Sequence, residues 1–274
     1  MNHIKHIVYT SDLNLRRYLP DFDGESISVL DPRSAVYIGT GIAAQNKETV
    51  VVFLKSSNTS RSAYSGMTEA YYRNLPIILV TVGRELDYSV ELNDVVNSHF
   101  IVSSLKDIGD ISSLVFPAHI ELETSEKEEN TKCSPLFKHL KNSVCVDDYL
   151  YTSHVFSFDS EVFKCKVVIG GMENCLEGAL SNVLGASLAK RRRRYIGVLT
   201  EDEFLHDMNA LGNININDSL VYFVVCDHIN GMICDYAKSL GFETKSIDVG
   251  GITKEYIQTI LANKKKSLVV VYGE

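Results

Sequence analysis

Three consecutive acidic residues stand where a predicted buried strand runs into a helix. The stretch GVLTEDEFLHDMNAL, residues 197–211, begins apolar and takes on a helical pattern at Glu201, Asp202 and Glu203. Acidic side chains at a helix N-terminus favour the helix dipole and cap the helix, with no ligand involved. The carboxyl ends of parallel strands are also where α/β enzymes hold a metal or a phosphate. Both interpretations remain open.

A polar turn before another predicted helix offers a different kind of site. In VVVFLKSSNTSRSAYSGMTEAYYRNLPIILVT, residues 50–81, a strand is followed by Ser56, Ser57, Asn58 and Thr59, then by an amphipathic helix and a second strand. The hydroxyls and backbone N–H groups of such a turn can bind an anion at the N-terminus of the following helix. A plain helix cap explains the same residues equally well.

Short β-branched runs alternate with helical patterns along the chain. Strands are predicted at 6–10, 26–30, 49–54, 76–82, 118–123, 143–146, 166–170, 195–199, 220–226, 244–248 and 267–273, and helices at 33–45, 60–73, 173–190, 202–211, 231–240 and 253–263. Several strands are almost continuously apolar, as strands buried on both faces are. The alternation predicts an α/β fold of doubly wound parallel sheets with helices on both faces.

One polar segment divides the chain into halves of similar size. TSEKEENTKCSP, residues 124–135, is charged and ends in proline, which is typical of a linker. We therefore predict two α/β units, one over residues 1–123 and the other over residues 136–274.

The composition excludes several classes of partner. The chain of 274 residues is 45% hydrophobic and 23% charged with a formal net charge of −8, which is ordinary for a globular protein. Nucleic-acid binding needs a basic face, and the dense basic run from Lys190 to Arg194 follows a predicted apolar helix, whose dipole favours cations at that end. No apolar run reaches membrane-spanning length. We expect neither nucleic acid nor membrane as a partner.

Cysteine usage and the N-terminal residues bear on the compartment. The six cysteines lack the paired spacing of zinc sites, and several lie within apolar strand or helix patterns. This predicts buried thiols in a reducing compartment. The opening residues MNHIKHIVYTSD do not have the pattern of a secretory signal, so we expect a cytoplasmic protein.

Motifs of the first half resemble a known enzyme family. DPRSAVYIGTGIA, followed by SSNTSRSAYSGMTEAYYRNLPIILVTVGRE, resembles the pyrimidine-binding domain of thiamine-diphosphate-dependent enzymes. The closest likeness is to the menaquinone-pathway 2-oxoglutarate carboligase and related 2-oxoacid carboligases. Their pattern reads approximately D-E-R-S-A, then T-S-G-T, then a helix and a strand. The resemblance implies that Ser56, Ser57, Asn58 and Thr59 contact the cofactor.

Motifs of the second half resemble the diphosphate-binding domain of the same family, in the same order. IGGMENCLEGALSNVLGASLA, residues 169–189, is similar to the family's glycine-rich helix start, which implies cofactor contacts at Gly178 and Ser181. The 197–211 stretch is similar to the family's G-D-L-S-F-L-H-D, which implies contacts at Glu201 and Asp202, and Gly231 is implied in the same way. The family binds its cofactor between two chains, so a homodimer or tetramer is expected.

The resemblance also has gaps. A full-length carboligase carries a middle domain between the two units, for which residues 124–135 leave no room, and the helix expected before the first strand is missing. The family's catalytic glutamate is the second residue of D-E-R-S-A, and here that position is Pro32, which has no proton to give. In an extended strand Asp31 would point to the opposite side.

The family's magnesium ligands have changed as well. Its Gly-Asp pair is replaced by Thr200-Glu201, and its downstream Asn-Asn by Asp227-His228. Histidine is a poor ligand for Mg²⁺ but a good one for softer metals. One prediction is a repurposed metal site of Glu201, Asp227 and His228. The alternative is that the carboxylates serve as helix caps and that His228 is a surface or core histidine.

Three other polar residues have modest predicted roles. His119, in PAHIEL, is predicted to be a strand residue on a packed face, and His206 and Asp207 are predicted to pair across an interface or to cap a helix locally.

Two hypotheses for function follow. The first is a thiamine-diphosphate-enzyme homologue with a degenerate cofactor site, acting as a weakly active or non-catalytic binding or partner subunit. An active homologous enzyme is one candidate partner. The changes at Pro32, Thr200, Asp227 and His228 motivate it. The alternative is a thiamine-diphosphate-dependent decarboxylase or carboligase acting on a small 2-oxoacid. The resemblance implies thiamine diphosphate and Mg²⁺ as cofactors, whereas the substitutions predict weak binding or none.

Overall fold

The computed structural model describes residues 4–10, 23–83, 92–108, 113–123, 134–153, 155–170, 178–189, 193–212 and 216–273, without the side chains of residues 56–60, 108 and 134. The chain divides into two units, residues 1–127 and 128–274. The boundary falls within the predicted linker, of which residues 124–133 lie outside the described part.

The first unit is built on a six-stranded parallel sheet. Its strands are β1 (His6–Thr10), β2 (Glu25–Val29), β3 (Val50–Lys55), β4 (Ile77–Val82), β5 (Ser98–Val102) and β6 (Ala118–Leu122). They lie in the order β2-β1-β3-β4-β6-β5. The two central strands β3 and β4 are buried along almost their whole length, which accounts for their continuous apolar sequence.

Helices α1 (Pro32–Asn46) and α2 (Ser56–Tyr72) pack together on one face of this sheet. Their close approach depends on Gly66, because a Cβ there would lie 2.6 Å from a methyl carbon of Val36. Apolar residues of the opposite face, including Ile7, Phe53 and Ile120, form a second cluster that packs against Leu105 and Leu114.

The second unit contains another six-stranded parallel sheet. Its strands are β7 (Tyr149–Ser153), β8 (Lys166–Gly170), β9 (Tyr195–Thr200), β10 (Leu220–Cys226), β11 (Glu243–Asp248) and β12 (Ser267–Tyr272), in the order β11-β12-β10-β9-β7-β8. Helices α3 (Ser134–Leu140) and α7 (Lys254–Ala262) cover one face, while α4 (Ala179–Ala189), α5 (Glu201–Asp207) and α6 (Gly231–Ser239) cover the other. The predicted α/β class with parallel sheets is confirmed.

The two sheets share one topology. When the strands of each unit are numbered from its own first strand, both sheets read 2-1-3-4-6-5. In each sheet, the second strand lies on one side of the first strand and the third strand lies on its other side. The connections therefore diverge between the first and third strands. Such a switch point leaves a crevice at the carboxyl ends of the strands.

Three sequence predictions of secondary structure need correction. Residues 143–146 do not form a strand, because the N–H of Cys145 bonds to the Asp148 carboxylate in a turn (2.6 Å). The strand begins instead at Tyr149. Strand β5 and helix α3 were not predicted. Most other elements lie within one to four residues of their predicted ends; α4 begins later, at Ala179, although residues 171–177 lie outside the described part.

The described helices include none with both the length and the apolar character needed to cross a membrane.

Candidate functional site

The three acidic residues lie beside the switch point of the second unit. Thr200 ends β9 and Ser153 ends β7, and these strands are neighbours at the point where the connections diverge. On its other side β9 pairs with β10, with Thr200 opposite Val225. The ends of three adjacent strands therefore bring Ser153, Thr200 and Cys226 to one edge of the sheet.

A capping box starts helix α5 at this edge. The Thr200 hydroxyl accepts the N–H of Glu203 (3.2 Å), and a carboxylate oxygen of Glu203 accepts the N–H of Thr200 (2.9 Å). Sequence reasoning gave this interpretation as one alternative, and the structure shows it for Glu203. Burial raises the pKa of Glu203 to about 6, against the lowering effect of hydrogen bonds from Thr200 and Ser153.

Glu201 is bound by a residue from the next loop. Its carboxylate accepts a hydrogen bond of 2.5 Å from the side-chain amide of Asn230. The amide oxygen of Asn230 in turn accepts the N–H of Met232 (3.0 Å) and so caps α6. Burial, followed by the negative charge of Glu201, raises the pKa of the Cys226 thiol. That thiol is therefore a poor nucleophile at neutral pH.

The other predicted ligands at this edge are exposed. Asp202 is the exposed residue of the first turn of α5, and Asp227 and His228 are exposed after β10. Gly231, predicted to contact the cofactor, is the exposed first residue of α6. Glu201, Asp227 and His228 do not form one of the compact groups of ligand atoms found among the described residues. The repurposed metal site stays a prediction.

Gly178 and Ser181 lie at the start of α4. Gly178 has a φ of 84°, a conformation that favours glycine. The Asp207 carboxylate accepts the N–H and the hydroxyl of Ser181, each at 2.7 Å. Asp207 was predicted to pair across an interface or to cap a helix locally, but its carboxylate instead caps α4, 26 residues away in sequence. The polar groups of Ser181 are thus engaged within the protein, and its contact with a cofactor remains a prediction.

In the first unit, Pro32 is a buried residue in the first turn of α1. Strand β2 ends at Val29, so the prediction that a strand directs Asp31 to the opposite side is wrong. Asp31 is instead the N-cap of α1, and its carboxylate accepts the N–H of Arg33 (3.1 Å) and the hydroxyl of Ser34 (2.7 Å). The backbone of Ser56, Ser57, Asn58 and Thr59 forms the start of α2, but their side chains lie outside the described part.

The polar groups of this edge do not fit a magnesium diphosphate. Three carboxylates occupy the first turn of α5, and the sequence contains no lysine or arginine from 195 to 212 or from 220 to 237. Glu201 and Glu203 are already bound by Asn230 and Thr200. A helix N-terminus that attracts anions is here neutralised by its own side chains.

Sequence reasoning missed two residues of this edge. Asn230 stands directly before the helical pattern of α6, which is an N-cap signal, but its bond to Glu201 depends on the neighbouring positions of β9 and β10. Ser153 was missed because β7 itself was misplaced.

The fold and site define an α/β protein that has two parallel sheets of the same topology and three acidic residues at the carboxyl end of β9. No family model matches the chain, and no curated protein matches it in sequence. Among solved structures, it is similar to the thiamine diphosphate-dependent 4-hydroxybenzoylformate decarboxylase of Rhodococcus jostii RHA1, at 9% identity and a TM-score of 0.39, over 98% of this chain and 96% of that one. It is also similar to the benzoylformate decarboxylase of Polynucleobacter necessarius, at 9% identity and a TM-score of 0.39, over 99% and 96% of the two chains. At these values the likeness carries no conclusion about the function of this chain.

Proposed function

We propose that this protein is a homologue of thiamine-diphosphate-dependent enzymes that acts as a binding module or partner subunit without the classical cofactor chemistry. The order of the motifs along both halves supports the kinship, as does the occurrence of two parallel sheets. A fold can be kept while its site changes, because packing and chemistry depend on different residues.

The observation that carries the proposal is that polar groups at the carboxyl ends of β9 and β10 are hydrogen-bonded to each other. The Glu203 carboxylate accepts a hydrogen bond from the N–H of Thr200, and the side-chain amide of Asn230 donates one to the carboxylate of Glu201. These are the positions at which the resemblance requires backbone groups and oxygen ligands open to a metal and a diphosphate. A bound diphosphate would have to displace both pairs and would meet additional negative charge.

The first unit supports the same conclusion. Pro32 stands where the resemblance requires a proton-donating glutamate, and the adjacent Asp31 is occupied as the cap of α1. Neither residue supplies the acid that the family's activation step uses.

The alternative function is a thiamine-diphosphate-dependent decarboxylase or carboligase of a small 2-oxoacid. The position of Glu201 at the carboxyl end of a central strand, beside a switch point, favours it over unrelated enzyme classes. In that case Glu201, Asp227 and His228 would hold the metal, with a softer ion such as Mn²⁺ in place of Mg²⁺.

Calorimetric titration of the full chain distinguishes the two functions. We expect weak binding or none when thiamine diphosphate is added with Mg²⁺, and again with Mn²⁺. The combined variant Thr200→Gly, Glu201→Asp, Asp227→Asn and His228→Asn restores the pattern of the resemblance and should raise the affinity. Adding Pro32→Glu should then be required for turnover of a 2-oxoacid.

Because Thr200→Gly also removes a helix cap, Thr253→Gly is the matched control. Thr253 caps α7 through the N–H of Tyr256 (3.1 Å), away from this edge. Tight Mg²⁺-dependent binding by the unaltered protein, with carbon dioxide released from a 2-oxoacid, would overturn the non-catalytic proposal in favour of the alternative.

We also propose a homodimer or tetramer, on the ground that the family's cofactor lies between chains, and a cytoplasmic location, in keeping with the free thiols of Cys145, Cys165, Cys226 and Cys234. Light scattering at micromolar concentration tests the first of these, and a monomer mass would contradict it.

A further inference from the structure

Two histidines and a glutamate meet on one face of the first sheet, on the pair of strands furthest from its switch point. Strands β5 and β6 are parallel neighbours at one end of the strand order, with His99 opposite His119 and Ile101 opposite Glu121. Side chains alternate along a strand, so His119 and Glu121 share a face, and the register adds His99 to it.

The ligand atoms of these residues are close enough to share one ion. His99 Nε2 lies 2.7 Å from Glu121 Oε1, and the imidazole rings of His99 and His119 are stacked with their centroids 5.1 Å apart. One ligand atom from each of the three residues lies within 4.8 Å of the other two. An ion about 2.0–2.2 Å from each ligand needs ligand atoms separated by about 3–4 Å, so the stacked imidazole rings would have to turn towards the ion when it binds.

The surroundings hold the trio in place. His119 is 2% exposed and Glu121 is 8% exposed, which confirms the prediction that His119 packs in the sheet. The Thr81 hydroxyl on β4 lies 2.9 Å from His119 Nε2 and fixes the orientation of the ring. Metal-binding histidines commonly use one nitrogen for the ion and hydrogen-bond the other to a fixed partner.

Burial also affects the ionisation of His119. It lowers the pKa of His119 to about 4, with Glu121 acting in the opposite direction.

We propose that His99, His119 and Glu121 bind a divalent first-row transition-metal ion such as Zn²⁺ or Fe²⁺. Two imidazoles and one carboxylate suit these ions, whereas Mg²⁺ and Ca²⁺ prefer oxygen ligands. Three protein ligands leave a coordination position open, and the His99 side chain, which is 26% exposed, gives it access to solvent. This site is independent of the acidic edge in the second unit and of its proposed function.

Titration with Co²⁺ tests the site directly, because Co²⁺ bound by nitrogen and oxygen ligands gives visible absorption bands. The full chain, freed of any purification tag and of metal, should bind one equivalent of Co²⁺, and Zn²⁺ should displace it. His99→Gln and Glu121→Gln should each weaken Co²⁺ binding by about 100-fold or more, since even outer-shell changes cost about 10–100-fold.

Two further variants sharpen the test. Thr81→Val keeps the shape of residue 81 but removes the bond to His119, and should weaken binding by about 10–100-fold as expected of a positioning residue. His139→Gln, on α3 in the other unit, should leave binding unchanged. Circular dichroism in the presence of a chelator checks that each variant is folded, and the partly exposed His99 is the position best placed to tolerate replacement.

Two results would overturn the proposal. One is the absence of Co²⁺ and Zn²⁺ binding by the unaltered protein. The other is binding that survives in His99→Gln and Glu121→Gln but is lost in His228→Gln, which would place the ion at the acidic edge of the second unit instead.

Discussion

Arg194 holds Asp148 through two parallel hydrogen bonds, one from Nε to Oδ1 (3.0 Å) and one from Nη2 to Oδ2. Its remaining nitrogen, Nη1, donates to the carbonyl of Leu261 in α7 (2.7 Å). The amino ends of β7 and β9 are thereby tied to a helix on the sheet's face. Arg194 was predicted to be part of a basic helix end, but the structure places it in an ion pair with a nearly buried carboxylate.

Arg194→Lys should destabilise the second unit by about 1–3 kcal/mol. Lysine keeps the charge but cannot reproduce the two-pronged contact with Asp148 together with the bond to Leu261. The chain has no tryptophan, so unfolding is best followed by circular dichroism in urea. Arg73→Lys, in the exposed pair with Glu69 on the surface of α2, is the control and should change stability by less than about 0.5 kcal/mol. Equal losses of stability in Arg194→Lys and Arg73→Lys would mean that the two-pronged contact of Arg194 adds nothing to the stability of the second unit.

Asp207→Ala should lower stability by about 2–3 kcal/mol, because it leaves the N–H and hydroxyl of Ser181 without their shared acceptor and removes the cap of α4. Differential scanning calorimetry measures the change. Asp235→Ala removes an exposed carboxylate from α6 and should have little effect. If Asp207→Ala leaves the stability unchanged, α4 does not need this cap.

Glycine-to-alanine changes in two helices should act in opposite directions. Gly66→Ala should be destabilising by about 1–3 kcal/mol, because the new Cβ would lie 2.6 Å from Val36 and separate α1 from α2. Gly185→Ala, in the exposed middle of α4 with open space around its Cα, should be stabilising by about 0.5–1 kcal/mol. Thermal melting of both variants against the parent protein is a direct comparison. A stabilising Gly66→Ala would refute the close packing of the two helices.

The carboxyl group of Glu203 should make stability depend on pH. Its pKa is raised from 4.5 to about 6, so the folded state binds the proton more tightly than the unfolded state does. The resulting stabilisation is complete below pH 4.5 and is lost as pH rises through about 6. This difference in pKa between the unfolded and the folded state corresponds to about 2 kcal/mol.

Glu203→Gln should remove this part of the pH dependence, while Glu255→Gln, in the exposed first turn of α7, should retain it. The measurement is the free energy of unfolding in urea between pH 4 and pH 8. If the free energy of unfolding of Glu203→Gln changes with pH as it does in the parent protein, the carboxyl group of Glu203 does not titrate in this range.

The sequence predicted the fold well where strands are buried on both faces. Strand β10, at Leu220–Cys226, has the predicted bounds because every one of its residues is buried and apolar. The apolar residues at 143–146 predicted a strand that does not form, because Val146 is 69% exposed and Asp148 closes a turn. Helix α3 has a helix-start signal in Ser134-Pro135, but the proline was interpreted as the end of a linker.

The site was harder to predict because it depends on neighbours that are distant in sequence. The alternation of a strand could not be applied to Asp31, because the strand had already ended at Val29. The pairing of Glu201 with Asn230 crosses 29 residues. The trio of His99, His119 and Glu121 requires the register of β5 against β6, and a single sequence contains no information on that register.

The separate cores of the two units have an evolutionary consequence. Each of the four hydrophobic clusters draws its described residues from one unit alone. A substitution within one cluster therefore acts first on the packing of its own unit, so the buried positions of each half are under a selective constraint of their own.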